Sequence, residues 1–196
     1  MSGPFGSSQL MYTSGEAFTL DQSLRFDDDD SAYLSKTFAG AGNRKIWTFS
    51  CWVKPSSFST HRTLFACGTA GAASTFSSFR LNSDTSLTFF DSDGSGCDVK
   101  TTQLFRDPSA WYNIILACDT PQDAASDRIK MYVNGEQVTD MATTSYPAED
   151  LDIQINSAIG HQVGSRQSTG SVIEYWDGYM AEVHFIDGTA LTPTSF

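Results

Sequence analysis

Apolar residues recur at every second position through most of this chain, and no segment keeps the i, i+3, i+4, i+7 period of an amphipathic helix. The clearest run is Ile46 to Val53, where Trp47, Phe49, Cys51 and Val53 fall on one face and Thr48, Ser50 and Trp52 on the other. Trp111 to Ala117 is a second strong strand, bounded by Asp107-Pro108 and Asp119-Thr120-Pro121. Ile129 to Val133 alternates into Asn134-Gly135, a pair that favours a type I′ turn and therefore a hairpin with Glu136 to Val138. Phe76 to Leu81 and Ser86 to Phe90 read as another hairpin, joined at Asn82-Ser83-Asp84. Shorter signals occur at Thr63 to Cys67 and Val99 to Leu104.

At the C-terminal end, Tyr179, Ala181, Val183 and Phe185 alternate against Met180, Glu182, His184 and Ile186, and the pattern predicts the first set inward. Near the other end, Leu24 and Phe26 flank Arg25, and Tyr33 and Leu34 resume the apolar signal after the acidic turn Asp27 to Asp30. An edge hairpin, or one strand broken by a loop, is expected there. Short strands with frequent turn residues argue for an all-β sandwich or barrel. Residues 1–20, rich in Gly and Ser, read as a flexible arm, and residues 21–196 as one domain.

Composition narrows the class. A hydrophobic fraction of 40%, with 14 Phe, 7 Tyr and 4 Trp, is enough to build a core without staples. The net charge of -11, with only 12 Lys and Arg scattered along the chain, argues against nucleic acid and anionic membranes as partners. No apolar run approaches the roughly 18 residues that would insert across a bilayer. The opening residues lack the basic and apolar regions of a signal peptide, so synthesis in a cytoplasm is expected. Cys51, Cys67, Cys97 and Cys118 have no zinc-like spacing and are expected to be reduced, small hydrophobes.

The segments FSCWVKP at 49–55, WYNIILACD at 111–119, IKMYVNGEQV at 129–138, AIG at 158–160 and DGYMAEVHFIDGTAL at 177–191 resemble, in order and spacing, the LamG-like, concanavalin A-like jelly-roll family. The variant is similar to modules of marine tailed-phage structural proteins. The resemblance implies a two-sheet antiparallel jelly-roll sandwich over most of residues 22–196, and on it Trp111 packs across the sandwich while Gly178 lets the last strand bend past a neighbour. It also implies a virion component, such as a fibre, spike or capsid decoration. Such a component acts by assembly with other virion proteins and with copies of itself, and the arm would be its anchor. The alternative is a lectin-like adhesion domain for host surface glycans, calcium-dependent in some relatives.

Catalysis is not expected. Glycanases of this sandwich place acid and nucleophile on one sheet face about 5–5.5 Å apart. Here the nearest set, Glu174, Asp177 and Glu182, is interrupted by Gly178 and has the wrong parity for one face. Glu182 and His184 share a face, which reads as solvated surface. For a sugar platform the aromatic candidates are Trp52, Tyr146, Tyr175 and Trp176. For calcium, the loop Asp91-Ser92-Asp93-Gly94-Ser95-Gly96 offers Asp91, Asp93 and Ser95 at alternate positions, with Thr102 where a closing Glu would be needed.

Overall fold

The computed structural model describes residues 22–69, 75–92 and 96–196. The Gly/Ser-rich arm expected at 1–20 lies outside them. Two antiparallel sheets face each other across a single apolar layer, as alternation requires. The first contains β1 (Leu24–Phe26), β3 (Ile46–Pro55), β8 (Tyr112–Asp119), β9 (Ile129–Val133), β10 (Glu136–Gln137) and β15 (Gly178–Asp187), in the order β1-β15-β3-β8-β9-β10.

The second contains β2 (Leu34–Thr37), β4 (Arg62–Gly68), β5 (Phe76–Leu81), β6 (Ser86–Asp91), β7 (Cys97–Leu104), β11 (Met141–Ser145) and β12 (Gly160–Val163). Its order is β11-β7-β6-β5-β4-β12-β2. A small hairpin, β13 (Arg166–Gln167) with β14 (Val172–Ile173), completes the described strands. The architecture is the all-β jelly-roll sandwich expected from the pattern.

Inward positions match the alternation in the strong strands. Trp47, Phe49, Cys51 and Val53 are buried, and Phe49 stacks on Phe65 of the opposite sheet at 4.8 Å between ring centroids. Trp47 meets Phe89 edge-on at 5.8 Å. All four cysteines are buried free thiols, and desolvation pushes Cys67 up to about 12, so they pack as apolar groups. Asn134 (φ 51) and Gly135 (φ 86) adopt the two left-handed conformations of a type I′ turn, as their sequence predicts.

Three expectations are corrected. The segments around Asp27 to Asp30 form no hairpin with each other: β1 joins the edge of the six-stranded sheet and β2 the edge of the seven-stranded one. The acidic turn between them is held by Arg62, which donates to Asp28 at 2.6 Å. In β15 a bulge between Ala181 and His184, with Glu182 at φ 46, adds a residue and shifts the phase. Met180 and Phe185 consequently both join the core, while Val183 is exposed. Trp111 does not cross the sandwich either. It precedes β8 on the outer face, 6.4 Å from Tyr179. Gly178 behaves as expected: at φ 138 a Cβ there would collide with the Lys54 carbonyl oxygen.

Candidate functional site

The outer face of the seven-stranded sheet carries the polar half of the same alternation. Phe79, Leu81, Leu87, Phe89 and Val99 point into the core, so Arg80, Thr88 and Lys100 must point out. Register aligns Thr63, Arg80, Thr88 and Lys100 in one row across four strands. The next row runs Ala66, Ser78, Phe90 and Asp98. The Asn82-Ser83-Asp84 turn and His61 enclose the end of these rows, and the resulting groove has a volume of about 260 Å³.

One side of this face is built by the β13–β14 hairpin, which lies against β4. The hairpin brings Arg166 to 4.4 Å from the centre of the Phe76 ring and leads into Glu174. Glu174 holds a left-handed backbone (φ 55) and is tied to β4 through its carbonyl, which accepts from Thr63 N at 3.0 Å. Its carboxylate then meets Arg166 at 2.9 Å and Arg80 at 3.4 Å.

The electrostatics follow from this placement. Burial alone would raise the Glu174 pKa, but the Arg166 hydrogen bond and the charges of Arg166 and Arg80 outweigh it and hold the carboxyl below its ordinary range. Asp84 is brought down to about 2 by hydrogen bonds from Lys100 and Ser86. His61 is lowered, first by desolvation and then by Arg80, which favours its neutral form. Arg80 Nε also donates to Asn82 Oδ1 at 3.1 Å, so its position on the floor is fixed. Ser78 Oγ, Asp98 Oδ1 and His61 Nδ1 are shielded from solvent and have no hydrogen-bond partner among the described residues.

None of the four aromatic candidates lies in this groove. Trp52 is half-buried on the outer face of the other sheet, in register with Asn113 and Ala181. There it lines a cleft of about 440 Å³ with Trp111, Asn113, Asn134 and Pro193. Tyr146 is half-buried against the core, and burial raises its hydroxyl pKa. Tyr175 is half-buried at 6.1 Å from Tyr33, and its carbonyl accepts from Arg62. Trp176 cannot serve as a platform: it is fully buried, and its amide donates to Gly164 O.

The calcium candidates divide likewise. Asp93 and Ser95 lie outside the described residues. Asp91 faces inward, fully buried, and accepts from Ser77 Oγ and from Gln154 N, so it ties the sheet to the 154 loop rather than facing a rim. Among the described residues no group of three His, Cys, Asp or Glu is close enough to hold a metal ion. The carboxylates considered for hydrolysis are also dispersed. Glu174 faces the groove, whereas Glu182 sits in the β15 bulge on the opposite side of the sandwich, exposed beside His184 at 3.4 Å.

No curated protein matches the chain. Among solved structures, the NanB sialidase K499G mutant from Streptococcus pneumoniae is similar over 88% of this chain and 26% of its own, with 15% identity and a TM-score of 0.63. The Ruminococcus gnavus IT-sialidase CBM40 bound to alpha2,3 sialyllactose matches over 90% of this chain and 96% of its own, with 12% identity and a TM-score of 0.57. Domain 4 of AbnA, an extracellular GH43 arabinanase from Geobacillus stearothermophilus, in complex with arabinotriose, matches over 80% and 66%, with 20% identity and a TM-score of 0.57. At these identities the likeness is one of fold. Residues 26–195 match the Laminin_G_3 family profile, and the chain therefore belongs to the Concanavalin A-like lectin/glucanases superfamily.

Proposed function

We propose that this chain is a non-catalytic carbohydrate-binding domain that grips sugar hydroxyls in the groove on its seven-stranded sheet. The observation that carries this reading is the groove itself: Arg80, Thr88 and Lys100 in one register-fixed row, walled by Asp98 and the Asn82-Ser83-Asp84 turn. Cross-strand neighbours on a sheet lie about 5 Å apart, a spacing that matches hydroxyls along a sugar ring and its neighbour. Two structures similar in fold hold sialyllactose and arabinotriose, which supports the class of ligand without fixing the sugar. The separation of Glu174 from Glu182 supports binding over hydrolysis.

A second reading rests on the cleft beside Trp111 and Tyr179, where Asn113 and Asn134 add amide groups to an aromatic surface. A glycan array with the whole chain, Arg80→Ala and Trp111→Ala separates the two. Loss of about tenfold or more in signal for Arg80→Ala, with Trp111→Ala binding normally, is expected from the groove. The reverse pattern would move the site to the cleft. Display on a virion, touching host surface glycans and assembled with copies of itself or other virion proteins, is the setting we attach to this proposal on the tailed-phage resemblance.

A further inference from the structure

We infer that the groove selects neutral saccharides and rejects acidic ones. This rests on the carbohydrate-binding reading above and names the ligand class of the same site. Each cation at the groove is already in contact with a carboxylate: Lys100 meets Asp84 at 2.7 Å, while Arg80 at 3.4 Å and Arg166 at 2.9 Å share Glu174. Asp98 lines the same groove, half-buried, and has no counter-ion among these pairs. The uncommitted group is thus an acceptor with a negative charge.

A sugar hydroxyl can donate to Asp98 while its oxygen accepts from Arg80 or Lys100, so a vicinal diol answers both polarities. The carboxylate of a sialic or uronic acid, or a sulfate ester, offers no donor. It would enter beside Asp98 as a like charge, and it would compete with Asp84 or Glu174 for any cation it reached. The field of a molecule with a net charge of -11 works in the same direction. Although one structure of similar fold holds sialyllactose, the charges of this groove do not suit that acid.

The test is a glycan array carrying neutral saccharides beside their uronic, sialylated and sulfated counterparts, probed with the whole chain, Asp98→Asn and Asp84→Asn. Thermal melts confirm that both variants are folded. The wild-type chain is expected to bind neutral members at least about tenfold more strongly than their acidic counterparts. Asp98→Asn weakens neutral binding by removing the charged acceptor, and Asp84→Asn leaves Lys100 without its carboxylate. Each is expected to shift the acidic-to-neutral ratio upward by about tenfold. Preference of the wild-type chain for acidic glycans, or an unchanged ratio in both folded variants, would overturn the selectivity while leaving carbohydrate binding intact. Silence toward every glycan would overturn both.

Discussion

Glu174 is one carboxylate shared by two guanidinium groups, and the shape of the groove depends on it. Arg80 and Arg166 are both largely buried there, with side-chain exposures of 18% and 13%, so removing their common partner leaves two poorly solvated cations. Because the folded pKa lies below the ordinary value, the stability Glu174 contributes is full above that value and is lost as pH falls through the depressed one. Glu174→Gln should therefore destabilise the domain by about 1–3 kcal/mol at neutral pH and by less at an acid pH below the ordinary glutamate range, measured by chemical denaturation. An equal penalty at both pH values would mean that the charge of Glu174 does not matter. At this scale the sequence was informative only in part. Arg80, Thr88 and Lys100 were legible as polar positions in alternating strands, but their alignment depends on pairing that one strand cannot reveal. Arg166 and Glu174 come from a two-residue-per-strand hairpin, too short to show any period.

Elements, in turn, are fixed by contacts far apart in the chain. The outer face of β3 beside the core is closed by the segment that follows β15, and Thr48 is its fastening. The Thr48 hydroxyl donates to Thr189 O at 2.8 Å and accepts from Leu191 N at 2.8 Å, and Thr48 is fully buried. Ala190 then packs on Ile115, Ala117 and Tyr132. Thr48→Val keeps the bulk and strands two part-buried backbone groups, so a loss of about 1–2 kcal/mol is expected, with faster hydrogen exchange at Leu191. Unchanged stability would show that this segment is not fastened through Thr48. Sequence alone placed Thr48 on a polar face, correctly, but gave no sign that the face is covered, because the cover lies more than a hundred residues away. The β15 bulge was hidden for a different reason: Glu182 at positive φ carries no glycine to announce it.

For the molecule as a whole, the all-β class was legible because alternation, turn residues and apolar content all point to it, and the jelly-roll form followed from the family resemblance. The site was not, since aromatic residues drew attention to Trp52 and Trp176 while the sandwich buries one of them entirely and places the other on the opposite sheet. Two outer faces, one charged and polar and one aromatic, leave a definite question of which touches the ligand. Backbone chemical-shift mapping of the whole chain, titrated with the saccharide that scores highest on the array, answers it most directly. Carbohydrate binding in the groove predicts shifts clustered on Thr63, Ser78, Arg80, Thr88 and Lys100. Shifts confined to Trp111, Asn113 and Asn134, or none with any saccharide, would contradict it.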